Sequence, residues 1–266
     1  MYKQKGIIVY KQKGIIVSTH YDNFALVTGA SGGLGSSLVA EFLNDPAIDK
    51  VVAVSRSDKD KAEHPTSGVG HKLIWVKSDY SEAALTEVLS ILEPHAGKFS
   101  RVCICHGVLH SDTYWPEKRL EDISEFALQA IFQANAVVPA LWLKSLMKVL
   151  KGSDDCIVAA LSARVGSIGD NHLGGWYAYR ASKSALNMIL KTAAIEYGRR
   201  AKNVKLIAFH PGTTDTELSK PFQAAVPKDK LFTPSFVAER LAMIMDEAMV
   251  DGELSYLDWN GQAIDW

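Results

Sequence analysis

The stretch Thr28-Gly-Ala-Ser-Gly-Gly-Leu-Gly35 constrains this chain more than any other. It follows a short run of strand-forming residues at 24–28 and opens at once into an apolar helical pattern at 34–43. A glycine-rich turn in that place lets the backbone leave a strand sharply and lie against a pyrophosphate, with the positive end of a helix aimed at the charge. Gly29 permits the tight turn, Gly33 the close approach, and Gly35 the packing of helix on strand. Thr28, Ser31, Gly32 and Leu34 complete the candidate cradle. Three glycines in a turn are common; what gives these weight is their position after the first strand and before a helix.

The rest of the chain repeats the same alternation. Strand-like runs recur at 51–54, 73–77, 102–105, 156–161, 204–210 and 254–257, with helical patterns at 82–92, 120–150, 178–197 and 234–249. This predicts an α/β protein, a Rossmann-type, doubly wound, parallel seven-stranded sheet with helices on both faces. No linker or shift of composition divides residues 22–266, so they are read as a single domain. Residues 1–21 are read as an N-terminal arm. In it YKQKGIIV occurs twice in tandem, at 2–9 and 10–17, too short a unit for a solenoid. The arm suits a mobile basic tail or a strand that pairs with another subunit. Irregular stretches at 164–176 and 213–233 are long enough to expect a role for them.

Charge and cysteine content exclude several classes. Lys plus Arg number 29 and Asp plus Glu 30, a net charge of −1, so no global positive field exists to hold nucleic acid or an anionic membrane. Three cysteines in 266 residues make no disulfide framework, which fits a reducing compartment. No uninterrupted apolar run approaches the roughly 18 residues of a membrane span, and Gly-Ile-Ile-Val is shorter than a signal-peptide core of about 7–15 residues. The expectation is a cytoplasmic protein without a membrane span. Cys103, Cys105, His106 and His110 lack the spacing of a metal site, so no metal is expected.

The second strand ends Val54-Ser55-Arg56-Ser57. A carboxylate there would hydrogen-bond the ribose 2′-hydroxyl of NAD, whereas an arginine accepts the 2′-phosphate of NADP. Ser55 and Arg56 therefore point to NADP, with NADPH preferred over NADH; the alternative is a solvated Arg56, with Asp58 taking the ribose. Asp79 and Tyr80 follow the third strand, where Asp79 or Ser81 would also serve as a helix N-cap. Further on, Tyr179-Arg-Ala-Ser-Lys183 puts a phenol and an ammonium one helical turn apart on a single face. At about 4 Å and an effective dielectric near 20, their attraction is roughly 4 kcal/mol, enough to lower the tyrosine pKa toward a useful range. Ser162 lies 17 residues before Tyr179 at the end of the fifth strand, and Asn135 lies 27 residues before Ser162 in a helical run. Pro211-Gly-Thr-Thr-Asp-Thr216 follows the sixth strand.

Taken together, these motifs resemble the short-chain dehydrogenase/reductase family over about residues 22–266. The resemblance implies hydride transfer between NADPH and a small-molecule carbonyl or alcohol. Tyr179 is then the proton donor, Ser162 a partner of the carbonyl oxygen, Lys183 the group that lowers the Tyr179 pKa and binds the nicotinamide ribose, and Asn135 the keeper of a water relay. It further implies that Asp79 meets the adenine ring and that Pro211, Gly212, Thr214 and Thr216 close on the nicotinamide. Where the family has Asn-Asn-Ala-Gly, this chain has Cys-His106-Gly107 preceded by Ile104, keeping only the glycine. Phrases around Gly107–His110, Ser162–Tyr179 and His210–Gln223 resemble the bacterial branch called C-factor or C-signal. That keeps a second reading open, a nucleotide-binding signalling protein with little turnover. Arg164, His172, Trp176 and Phe222 are the candidate substrate residues, though Trp176 and Phe222 would equally anchor their loops. Family members pair long helices, so a homodimer or homotetramer is expected, with Ala185, Leu186 and Ile189 candidates for the paired face.

Overall fold

The structure, a computed structural model, describes residues 22–58 and 71–266. The arm at 1–21 with its doubled segment lies outside the described residues. The elements run β1 (Phe24–Thr28), α1 (Gly33–Asn44), β2 (Lys50–Ser55), β3 (Leu73–Lys77), α2 (Glu82–Leu92), β4 (Phe99–Ile104), α3 (Glu125–Phe132) and α4 (Val138–Leu150). They continue with β5 (Cys156–Leu161), α5 (Tyr177–Arg200), β6 (Val204–His210), β7 (Thr213–Thr214), β8 (Leu231–Phe232), α6 (Pro234–Glu247) and β9 (Leu254–Asp258). Seven strands form one parallel sheet in the order β3-β2-β1-β4-β5-β6-β9, the doubly wound arrangement expected from the sequence.

Strand alternation sorts the core into two layers. Phe24, Leu26, Val52, Val102, Val158 and Leu206 face α2, α4 and α5, where Trp142, Leu146, Leu190 and Tyr197 meet them. Ala25, Val27, Val51, Cys103, Ile157 and Ile207 face α1 and α6, against Leu38, Phe42, Leu241 and Met245. Both faces of β1 are covered, and all five of its residues are buried. β1 lies between β2 and β4, so the chain reverses its direction of travel across the sheet there. That opens a crevice at the carboxyl ends of β1 and β4, where ligands of such sheets bind.

Two segments differ from the sequence expectation. The apolar pattern at 120–150 is not one helix. A 3₁₀ turn at Leu120–Asp122 precedes α3, and a π turn at Gln133–Val137 separates α3 from α4. The run Glu125–Leu150 is long and apolar enough to cross a membrane, with mean hydropathy 1.4 over its best window. Its apolar residues are those of a core helix: Ile131, Trp142, Leu143, Leu146, Val149 and Leu150 are all buried. The stretch 213–233 is also more ordered than an irregular loop. β7 and β8 pair as a two-stranded parallel ribbon, with 3₁₀ turns at Lys220–Ala225 and Lys228–Lys230 between them.

Candidate active site

The glycine turn sits at the crevice. Gly29 has φ +72°, and a Cβ there would lie 3.0 Å from the carbonyl oxygen of Cys105, so the ends of β1 and β4 meet backbone to backbone. A Cβ on Gly35 would lie 2.3 Å from the Gly29 carbonyl oxygen; the space it leaves is taken by the turn itself rather than by a strand. Gly33 faces the Thr216 methyl, 2.7 Å from where its Cβ would be, so the loop after β6 reaches back onto the turn. Gly32 caps α1 with no side-chain hydrogen bond, and the first turn carries no acidic residue. The first N–H groups of α1 are thus left for an anion. Thr28 Oγ1, at the end of β1, is buried and has no hydrogen-bond partner among the described residues. A bare backbone cradle and an uncapped helix N-terminus fit a pyrophosphate.

The flank of the turn is built from β2 and the segment after β3. Ser55 is buried and donates its hydroxyl hydrogen to Ser31 Oγ at 2.6 Å. Arg56 is exposed beside it. Asp58 forms an ion pair with Lys77 at 2.9 Å. Ser81, not Asp79, is the N-cap of α2, accepting from Ala84 N at 3.2 Å; Asp79 folds back to accept from Ser81 N at 2.8 Å. Tyr80, with φ +66°, turns its ring inward, and burial raises its phenol pKa to about 12. His106 packs edge-on against Tyr80 at 4.3 Å and stacks parallel to Trp142 at 6.4 Å. Its Nε2 has no partner among the described residues, and burial, with Arg56 and Lys183 nearby, pushes its pKa down to about 3, so it is neutral.

The four residues read as catalytic lie around the start of α5. Glu117, itself buried, accepts from Ala178 N with both carboxylate oxygens at 3.3 Å, and its carbonyl takes the N–H of Trp176 at 2.6 Å. A carboxylate is thereby held at the positive end of the helix. Trp176 enters with φ +54°, which aims the next turn into the crevice. Tyr179 and Lys183 follow on one face, both buried, with Lys183 Nζ 5.9 Å from the centre of the Tyr179 ring. Lys183 Nζ donates to the Leu161 carbonyl at 2.7 Å, and a Cβ on Gly107 would stand 3.4 Å from it. Ser162 Oγ donates to Asn187 Oδ1 at 2.6 Å. Asn135 lies in the π turn; its oxygen accepts from Val108 N at 2.7 Å, and its Nδ2 donates to Val108 O at 2.9 Å and Ser182 Oγ at 3.0 Å. Both amide hydrogens are used, so the side chain ties the segment after β4 to α5.

One electrostatic expectation is reversed. Lys183 was to lower the Tyr179 pKa. Instead burial raises the phenol well above its usual value, and the nearby Tyr256 adds to that. Burial also brings the Lys183 ammonium down to about 7. Desolvation is the largest cause of both shifts.

Aromatic side chains stand over Tyr179. Trp176 lies 6.2 Å from its ring and 5.1 Å from Phe222; Phe222 in turn contacts Trp115 at 6.0 Å and His110 at 5.7 Å. Leu109, Val165 and Leu218 fill the space among them. Trp115 and His110 were not among the sequence candidates. Arg164 is turned away, toward Asp170 at 3.3 Å and Asp258 at 3.5 Å, and His172 is exposed on its loop outside this cluster. After β6, Gly212 has φ +70° and packs under Phe232 and Trp259; Thr214 Oγ1 donates to the Pro211 carbonyl at 3.3 Å. Among the described residues no three His, Cys, Asp or Glu side chains gather as a metal site would require.

A glycine turn at the switch point of a doubly wound sheet, beside a buried Ser–Tyr–Lys group, is the layout of a nicotinamide-dependent oxidoreductase. The chain belongs to the short chain dehydrogenase family, whose model matches residues 23–227. It is 23% identical over 256 residues to a benzil reductase ((S)-benzoin forming) of Bacillus cereus, covering 88% of this chain and 99% of the relative. It is 28% identical over 147 residues to the C-signal protein of Myxococcus xanthus, covering 55% of this chain and 83% of that protein. The fold matches that of NADPH-bound carbonyl reductase from chicken fatty liver with a TM-score of 0.78 at 19% identity, over 92% of this chain and 99% of the other.

The buried lysine makes stability depend on pH. Its folded pKa of about 7 lies below the ordinary 10.5, so between those values the unfolded chain binds the extra proton and wild-type stability rises with pH. The burial penalty is fully present below about pH 7. Lys183→Met removes the titration, so its Tm relative to wild type should be highest below pH 7 and fall steadily toward pH 10. Parallel melting curves across that range would show that Lys183 is not a depressed lysine.

Proposed function

We propose that this chain is an NADPH-dependent carbonyl reductase, working reversibly on alcohols, with Ser162, Tyr179, Lys183 and Asn135 as its reaction site. The observation that carries the reading is the burial of Tyr179 beside Lys183 at the end of β5. Burial holds Tyr179 as a neutral phenol, the form that gives a proton to a carbonyl oxygen. When bound, the nicotinamide supplies the hydride to the carbonyl carbon. The chain's residues do the rest. Tyr179 delivers the proton, and Ser162 helps to orient the oxygen. Lys183, titrating near neutrality, replenishes the phenol proton and faces the ribose. Asn135 holds the Gly107–Val108 backbone below Lys183 and keeps the helix bent.

The turn at 28–35 would hold the pyrophosphate, Asp79, Tyr80, His106 and Gly107 the adenosine side, and Pro211–Thr216 the nicotinamide end. Two facts support NADPH over NADH. Arg56 stands exposed beside the turn, and Asp58, the alternative ribose partner, is paired with Lys77. The chicken enzyme, solved with NADPH, agrees. Trp176, Phe222 and Trp115 suit a carbonyl carrying an aromatic or bulky apolar group, in keeping with the benzil reductase relative.

The C-signal likeness supports a second reading, a nucleotide-binding signalling protein; a complete and buried Ser–Tyr–Lys group favours the first, because binding alone does not need it. For assembly we propose pairing of α4 and α5 with a second copy. Leu186, a candidate for that face, is wholly in the core; the outward residues are Met188 and Ile195, beside partly buried Leu141, Met147 and Ile189.

A carbonyl panel followed by NADPH absorbance should give turnover first on aryl ketones and diketones, and Tyr179→Phe should bind NADPH normally while losing at least about 100-fold in kcat. Undiminished turnover in that variant refutes the site. Arg56→Ala should weaken NADPH by roughly 10-fold or more and leave NADH nearly unchanged; equal losses would show that Arg56 does not read the phosphate. Met188→Glu should shift the sedimentation profile toward monomer, and an unchanged profile would rule out this face.

A further inference from the structure

Ser162 has one hydroxyl hydrogen, and without a bound ligand Asn187 holds it. Oγ donates to Asn187 Oδ1 at 2.6 Å in a buried contact. Asn187 lies in α5, four residues beyond Lys183 and eight beyond Tyr179, on the same stripe of the helix. Its Nδ2 donates to the Gly166 carbonyl at 3.4 Å. A Cβ on Gly166 would lie 2.9 Å from the Lys183 backbone carbon, so that turn rests directly on the helix. From the other side Tyr256 of β9 donates its phenol hydrogen to the Ala163 carbonyl at 2.7 Å. The Tyr256 hydroxyl also lies close to the side chains of Asn187 and Ser162. Ser162, Asn187 and Tyr256 are each only 3% exposed. A polar amide in the middle of a buried helix face competes with the backbone and is costly unless its groups are used. Here both ends are used, and both act on the segment that begins with Ser162.

We propose that Asn187 and Tyr256 are positioning residues for Ser162: Asn187 holds the hydroxyl in one rotamer, from which its hydrogen swings to a bound carbonyl oxygen, and Tyr256 fixes the backbone just after it, so that Ser162 and Tyr179 converge on that oxygen. A free serine hydroxyl samples several rotamers, and loss of alignment at a reacting centre costs about 10- to 100-fold in rate. The role rests on the reductase reading above. It adds to the site two residues that touch neither substrate nor cofactor.

The test is a double-mutant cycle on the full-length protein, reading kcat, KM and the Kd for NADPH. Asn187→Ala should lower kcat about 10- to 100-fold with the NADPH Kd within about 2-fold of wild type, and should add nothing further in a Ser162→Ala background. Asn187→Asp keeps the acceptor for Ser162, so it should recover part of the lost kcat. It also places a carboxylate near Tyr179, which should move the pH profile of kcat upward. Tyr256→Phe should also lower kcat, by less than Asn187→Ala. A loss that multiplies through the Ser162→Ala background, or an unchanged kcat in Asn187→Ala when Ser162→Ala is impaired, overturns the positioning role alone. Wild-type protein that binds NADPH and turns over no carbonyl overturns the reductase reading, and this role with it.

Discussion

A buried ammonium organises the functional end of this molecule. Lys183 is 2% exposed, and it donates to the Leu161 carbonyl at the tip of β5. A cation so placed is tolerated only if neighbouring elements come close without crowding it, and the chain supplies glycines for this. Gly107 leaves space beside Nζ, and Gly166 lets the turn after β5 lie on the helix backbone at Lys183 itself. A side chain at Gly166 would push the 163–167 turn away from α5, whereas a Cβ at Gly107 would stand in ordinary contact with Nζ. The geometry of the site therefore depends on backbone contacts that hold a charge out of water.

Helix α5 turns this constraint into a line of functional groups. Tyr179, Lys183 and Asn187 recur every four residues along one stripe, while Ser182, one position earlier than Lys183, receives the Asn135 amide. The helix starts under a buried carboxylate, Glu117, brought from a loop some 60 residues earlier. Its hydrophobic residues Leu186, Leu190, Ala194 and Tyr197 lock the remaining length onto the sheet. Position along the helix thus sets the order of the site, and tertiary packing sets its depth.

Much of this was legible in the sequence, for identifiable reasons. Strands covered on both faces read as short continuous apolar runs, and the glycine turn marked the switch point before any topology was known. Tyr179 and Lys183 were legible because a four-residue spacing becomes proximity on a helix. What stayed hidden was tertiary. Asn187 has the same spacing from Lys183, but its significance comes from Ser162, 25 residues away in sequence. Glu117 reads as a loop charge until the fold buries it. Trp115 and His110 joined the aromatic wall through Phe222, whereas Arg164 was drawn off by Asp258, near the end of the chain. The π turn at Asn135 has no periodic signature, since a single extra residue barely alters an apolar helical pattern.

The pKa reversal also has a chemical logic. Attraction between a phenolate and an ammonium would hold both charged, leaving no proton ready for a carbonyl oxygen. Burial instead favours the neutral form of each: the phenol keeps its proton, and the lysine is brought near the pH at which it can exchange one. On the reductase reading proposed above, the two groups would serve as acid and proton source rather than as a salt bridge. The same desolvation that makes Lys183 expensive to fold brings its pKa to about 7, where on that reading it would exchange a proton at neutral pH.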